Sequence, residues 1–291
     1  MSDATSTTGS TATDAPVLRV GHSPDPDDAF MFYGLAHGAV KIRNYRIEHV
    51  LEDIESLNRR AMAKDLEVTA ISAHAYPRVA DAYHILATGA SMGRGYGPIL
   101  ASKTPMTIAD LRGRRVAIPG PWTTAALLTA IYADGYTPVE VMFDQVPQAI
   151  LSGEVDAGVI IHEGQLTYGG MGLHKIADYG ELWAAETDGL PLPLGLDVVR
   201  ADLGPELCRE INTGLKASIL HARANLEPAI DYALTFGRGL DRDLGKKFVG
   251  MYVSDDTVDM GQPGRAALRL LFERGAAKGL IPAVPELVVI D

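Results

Sequence analysis

The sequence predicts an α/β fold of two lobes about a central cleft, and three observations carry that reading. Short apolar runs of strand length alternate with capped helical stretches, a pattern that favours a mixed α/β architecture over a bundle or a sandwich. At 291 residues the chain exceeds what one core commonly serves, so two domains are expected. Two stretches, Gly97-Pro98-Ile99-Leu100-Ala101 and Leu190-Pro191-Leu192-Pro193-Leu194-Gly195, read as crossovers between lobes. They divide the chain into a first lobe of residues 17–98 and 197–291 and a second of 99–196. Residues 1–16, rich in Ser, Thr, Ala and Asp, read as a disordered tail.

The elements follow in order. Residues 17–21 form a strand and 27–35 a helix; 45–51 alternate as a strand, and Asp53 caps a helix running to about Lys64. Strands are expected at 68–72, 83–88 and 99–102, with a short helix to Val79 after the first of these. Residues 107–111 read as a capped helical turn ended by Gly113, and 116–118 as a strand. A helix over 123–133 stops at Gly135, a strand follows at 139–143, and a helix over 147–151 stops at Gly153. An apolar strand, 158–161, then runs into His162. From Pro205 the pattern is mostly helical, through 264–278, with an extended end.

Composition narrows the function classes. The chain is 47% hydrophobic and 22% charged, ordinary for a soluble globular protein. A net charge of −11 argues against a nucleic-acid backbone or an anionic membrane as partner, and leaves room for a local pocket that takes a small anion. The one cysteine, Cys208, excludes an intrachain disulfide and reads as buried helix filler. Residues 1–16 lack the basic and apolar regions of a signal peptide, and no apolar run approaches the roughly 20 residues of a membrane span. A cytoplasmic protein is expected.

Three segments run from a strand into a polar residue and a helix start: Val68-Thr69-Ala70-Ile71-Ser72, Val116-Ala117-Ile118-Pro119-Gly120-Pro121-Trp122-Thr123-Thr124, and Val20-Gly21-His22-Ser23-Pro24-Asp25-Pro26-Asp27-Asp28. Helix starts present free N–H groups that hold carboxylates or phosphates, and Ser72, Thr123 and Thr124 add hydroxyls. Each hydroxyl read alone is as well explained as a cap. His162 stands where a buried strand delivers an ionisable group to the sheet's rim, the usual place of ligands in open α/β sheets. A structural histidine and a catalytic base both fit that position, and the sequence identifies no orienting partner; adjoining Glu163 points to the other strand face.

Other motifs carry little. Asp25, Asp27 and Asp28 lack the Gly and Glu of a calcium loop, since Phe30 and Ala36 stand there; Asp27 is expected to cap the next helix. His162-Glu163 is followed by Gln165 and Leu166, so it is not a zinc-protease signature, and no metal is expected. Gly89-Ala90-Ser91-Met92-Gly93 matches a nucleophile elbow, but Arg94-Gly95-Tyr96-Gly97-Pro98 does not suit the helix that must follow. Phosphate-loop and dinucleotide fingerprints do not occur.

Taken together, several stretches resemble the 1,4-dihydroxy-6-naphthoate synthases of the futalosine route to menaquinone. They are Gly21-His22-Ser23-Pro24-Asp25-Pro26-Asp27-Asp28-Ala29-Phe30, Leu51-Glu52-Asp53-Ile54-Glu55-Ser56-Leu57-Asn58, Gly93-Arg94-Gly95-Tyr96-Gly97-Pro98, Pro119-Gly120-Pro121-Trp122-Thr123-Thr124-Ala125, Ile160-Ile161-His162-Glu163, and Gly189-Leu190-Pro191-Leu192-Pro193-Leu194-Gly195. The resemblance spans about Val17 to Asp291 and implies a two-lobed fold like the type II periplasmic binding proteins. It implies a lyase that converts cyclic dehypoxanthine futalosine to 1,4-dihydroxy-6-naphthoate, with His162 as general base and no cofactor. Substrate contacts are implied at Ala70, Ile71 and Ser72 and at Thr123 and Thr124. Ser23, Asn58 and Arg94 complete the expected contacts to a small carboxylate substrate. Asp25 and Asp27 stand where the family commonly has Cys and Asn, and Ala70 where one member has Lys, so this side of the cleft is more negative; Arg94 is the candidate compensating cation. A non-enzymatic small-anion receptor and an enzyme like the chorismate dehydratases, which share the fold, are the alternatives.

Overall fold

The computed structural model of the chain describes residues 15–237 and 240–291, so most of the tail read at 1–16 lies outside the described residues. The chain opens with β1 (Val17–His22), α1 (Pro26–Met31), α2 (Tyr33–Ala36), β2 (Arg46–Leu51), α3 (Ile54–Met62) and β3 (Val68–Ser72). The helix expected over 27–35 breaks at Phe32, whose backbone (φ −87°, ψ 2°) leaves the helical basin while its ring stacks on buried His22 at 4.4 Å. Pro26 starts α1, where its missing N–H costs nothing. The N-cap position therefore falls on Asp25, in extended backbone, and Asp27, expected to cap, lies inside the helix. Asp53 caps α3 as its sequence indicates, accepting from the N–H groups of Glu55 and Ser56.

Next come β4 (Tyr83–Leu86), β5 (Ser91–Gly93) and β6 (Ile99–Ser102). The strand expected to reach residue 88 ends at Leu86, and Ser91 lies on a strand, with no helix after it. The second lobe continues with β7 (Arg115–Ile118), α4 (Thr124–Tyr132), β8 (Thr137–Glu140), α5 (Val146–Ser152), β9 (Ala157–Ile160), α6 (Gly164–Thr167), β10 (His174–Asp178) and α7 (Tyr179–Glu186). The turn before β7 is a 3-10 helix closed by a reciprocal Thr107–Asp110 cap. Parallel pairing with β7 places β8 two residues before the expected 139–143.

The chain then returns through β11 (Leu192–Arg200), α8 (Pro205–Ala224), α9 (Leu226–Leu234), α10 (Arg242–Tyr252), α11 (Asp255–Val258), α12 (Gly261–Ala277) and β12 (Val289–Ile290). The stretch 190–195, read as a crossover, is thus mostly strand, with Leu192, Pro193 and Gly195 already paired to β5. Pro193 is tolerated because pairing with β5 is irregular between Pro193 and Gly195. Trp183 fastens the crossover from beneath: it is 1% exposed and donates from Nε1 to the Pro191 carbonyl. Cys208 is buried on α8.

Among the described residues, one sheet has the order β12-β4-β11-β3-β1-β2 with β5 paired to β11, and the other β10-β6-β9-β7-β8. β1, β2 and β3 run parallel, as do β7, β8 and β9, while β11 and β6 run against their neighbours. The largest core cluster crosses both sheets, joining Ile71, Met92 and Leu196 of the first to Leu100, Val116 and Val159 of the second. The carboxyl ends of β1 and β3 face those of β7 and β9, which is where this sheet type places its ligands. Among the described residues no helix is long and apolar enough to cross a membrane.

Candidate active site

Four strand ends converge on one cavity, with about 730 Å³ of empty space including its mouth, within the range of small-molecule clefts. The segment after β1 supplies Ser23, Asp27 and Asp28; β3 supplies Ala70, Ile71 and Ser72; the segment after β7 supplies Thr123 and Thr124; the residues after β9 supply Ile161 and His162. β11 adds Leu194, Gly195, Leu196 and Asp197, and α6 and α10 add Gln165 and Tyr252.

At His162 the backbone turns sharply out of β9, with φ +54°, in a region that non-glycine residues enter at a cost of about 1–3 kcal/mol. The side chain is held from two sides. Its Nδ1 lies 3.0 Å from Oδ2 of Asp25, which is 1% exposed, and the Phe143 ring meets it edge-on at 4.7 Å. Asp25 follows β1 in the first lobe and His162 follows β9 in the second, so this pair spans the cleft. With Nδ1 turned to Asp25, Nε2 is the imidazole atom without a hydrogen-bond partner among the described residues. Burial disfavours the imidazolium, but Asp25, Asp27 and Glu163 outweigh it and raise the pKa to about 9.

The acids beside it carry less charge than their number suggests. Burial, then Asp28 and Asp25, pushes Asp27 well above the usual carboxylate range. Burial and the Asp25 charge raise Asp28 to about 6, although its Oδ2 accepts from the N–H (2.7 Å) and hydroxyl (2.9 Å) of Ser23. Ser23 thus meets the cavity with its hydroxyl already engaged.

On the facing side, Asn58 is fully buried on α3 and does not line the cavity. Its Oδ1 accepts from the Ser72 N–H at 2.8 Å and its Nδ2 donates to the Ser72 hydroxyl at 3.1 Å. Asn58 therefore positions Ser72. Thr123 caps α4, accepting from the Ala126 N–H at 3.2 Å. The Thr124 hydroxyl donates to the Leu194 carbonyl at 2.7 Å and accepts from the His74 N–H. These bonds fix the start of α4, whose first N–H groups have no intrahelical acceptors. Further ties close the lobes: Glu55 accepts from the Trp122 N–H at 3.1 Å, and the Tyr252 hydroxyl donates to Gln165 at 2.8 Å.

Arg94 stands apart. Its guanidinium makes a bidentate pair with Asp256 at 2.6 and 2.7 Å, and it is not among the residues lining the cavity. The cation expected to offset the acids of the cleft thus lies outside the cavity wall, with its charge paired to Asp256. Sequence reasoning missed Asp197, Gln165 and Tyr252. Asp197 left one signal, an acid inside the apolar run Leu192-Pro193-Leu194-Gly195-Leu196-Asp197-Val198-Val199; Gln165 and Tyr252 left none, since distant segments bring them there. Among the described residues no group of three or more His, Cys, Asp or Glu side chains is placed to hold a metal ion.

Comparison with known proteins adds the following. A family profile described as menaquinone biosynthesis matches residues 18–277. A 1,4-dihydroxy-6-naphthoate synthase of Thermus thermophilus is 41% identical over 92% of this chain and 97% of its own length. One from Streptomyces coelicolor is 37% identical over 93% of this chain and 96% of its own. A solved protein of Archaeoglobus fulgidus has a TM-score of 0.87 at 48% identity, covering 91% of this chain and 98% of that one. The alkanesulfonate-binding protein SsuA of Xanthomonas axonopodis pv. citri reaches a TM-score of 0.69 at 15% identity, over 95% of this chain and 99% of that one. That last likeness is one of fold, the two-lobed periplasmic-binding-protein architecture.

Proposed function

The chain belongs to the menaquinone biosynthesis family, and from that premise we propose that it is a 1,4-dihydroxy-6-naphthoate synthase, a lyase acting on cyclic dehypoxanthine futalosine. The observation that carries this reading is the His162–Asp25 pair at the cavity wall. A general base needs a free nitrogen facing the substrate and a partner that fixes its ring and stabilises the cation it becomes. His162 lines the cavity, its Nε2 has no hydrogen-bond partner among the described residues, and its Nδ1 lies 3.0 Å from a buried carboxylate. Neutral His162 takes a proton from the substrate, the sugar-derived fragment departs, and the ring aromatises.

The substrate's arene carboxylate is assigned to the start of α4, beside Ser72, where N–H groups and the positive end of the helix favour an anion. Burial holds Asp27 and Asp28 above the usual carboxylate range, which lessens the negative charge on the other wall, and the start of α4 lies on the facing side. No cofactor enters the scheme.

The test is direct. Purified protein is incubated with the cyclic substrate and naphthoate absorbance is followed. Wild type is expected to convert it, and His162→Ala to keep its fold while losing about 10²–10⁴ in kcat/KM. A variant with near-normal kcat/KM would remove His162 from the chemistry. Binding without conversion by wild type would mark the chain as a receptor of the same fold.

A further inference from the structure

One acid interrupts the apolar face of β11, and the fold makes no use of it. Asp197 is 1% exposed, lines the cavity, and has an Oδ2 with no hydrogen-bond partner among the described residues. Burying a polar group without a partner costs stability, so such a group calls for an explanation. Space is kept clear for it: Gly89, at φ +93°, faces the carboxyl, and a Cβ there would lie 2.0 Å from Asp197 Oδ2. Its cross-strand neighbour is Ala70, which brings neither charge nor hydrogen bond. Asp28, on the same cavity, is near enough to repel it.

We propose that Asp197, with Asp28 beside it, is the specificity-determining contact to hydroxyl groups on the sugar-derived part of the substrate. This deepens the synthase reading and rests on it. Three ligand chemistries could be offered to this wall. A carboxylate would repel Asp28 and has its own place at the start of α4. A metal ion lacks a ligand set here. A hydroxyl donates and accepts at once, so it pairs with a carboxyl in either protonation state. Burial, then Asp28, pushes Asp197 well above the usual carboxylate range, which favours the neutral form that donates as well as accepts. Sites built to hydrogen-bond a substrate hydroxyl discriminate strongly, because without it their buried groups stay unpaired.

The experiment compares two variants in the naphthoate assay. Asp197→Leu keeps the branched outline and removes both polar atoms; Asp197→Asn keeps a donor and an acceptor. Benzoate, which has the arene carboxylate and no hydroxyl, serves as competitive inhibitor. Asp197→Leu is expected to raise KM for the cyclic substrate about tenfold or more and to leave benzoate inhibition within about twofold. Asp197→Asn is expected to stay within about threefold of the wild-type KM. An unchanged KM in Asp197→Leu, or an equal loss of substrate and benzoate, overturns the assignment. Failure of wild type to convert the substrate overturns instead the synthase reading, and with it the substrate named here. Should Asp197→Leu not fold, Asp197→Ala gives the same comparison.

Discussion

Asp25→Asn keeps the shape of the group that faces His162 and removes its charge. At 3.0 Å the Asp25 carboxylate is the leading influence that favours the imidazolium, working against burial to give a pKa of about 9 where the ordinary value is 6.5. Without that charge, burial works against Asp27 and Glu163 alone, so the pKa is expected to fall from about 9 toward the ordinary value. The difference between about 9 and 6.5 is worth about 3 kcal/mol between the two protonation states. A base acts only when neutral, so kcat/KM for wild type is expected to rise with pH up to about 9. In Asp25→Asn the rise is expected to finish about two pH units earlier, because less alkali is needed to deprotonate the ring. The plateau falls by about 10²–10⁴, because the ring has lost the partner that fixes its tautomer and orientation. The two profiles therefore run parallel in acid and separate in alkali, where the wild type is still rising and the variant is not. The assay is kcat/KM from naphthoate absorbance between about pH 5 and pH 10, with binding of benzoate as a check on the cleft. A limb that stays at the same pH in the variant would refute the coupling of Asp25 to His162.

Three further outcomes follow from other contacts. Asn58→Ala removes both bonds to Ser72 from a fully buried site, so it should lower stability by about 1–3 kcal/mol in denaturant unfolding and raise KM more than it lowers kcat. Arg94→Ala breaks a pair whose arginine is half exposed, so kcat/KM should stay within about twofold while the melting temperature falls modestly for the loss of Asp256's partner; a large rise in KM would restore Arg94 to the substrate. Stability should also fall as pH rises. His162 has a folded pKa (about 9) above its unfolded value (6.5), so its pairing contributes fully below 6.5 and is lost through about 9. Asp28, raised from 3.8 to about 6, contributes below 3.8 and loses that contribution as pH rises through about 6. Melting curves should show both declines, and His162→Gln should flatten the alkaline one.

Much of the site was legible because strand ends have a signature of their own. An apolar run followed by a polar residue and a helix start marks Ser23, Ser72, Thr123 and His162, and all four line the cavity. Local chemistry also gives the caps at Asp53 and Thr123. Asn58 and Arg94 show the limit of this reasoning. Both lie in stretches that mark the family, yet one supports Ser72 from behind and the other pairs with Asp256, 162 positions along the chain. Nothing local distinguishes a residue that touches a cavity from one that holds its neighbour.

The acids make the same point more sharply. From the sequence, Asp25 and Asp27 look like surplus negative charge, and what orients His162 is not visible. That partner lies 137 positions before His162, on the other lobe, and only lobe-on-lobe packing brings its carboxylate to 3.0 Å. Periodicity and capping are local, acting over a few residues, so the amino-acid sequence by itself determined the alternation of strands and helices, the two-lobed class, and the residues at the strand ends. Charge state, pairing and solvent exclusion are set by whatever distant segments press against a group. The tertiary structure alone decided that Asp25 faces His162, that Arg94 is already neutralised, and that Asp197 lies buried in the cleft without a partner among the described residues.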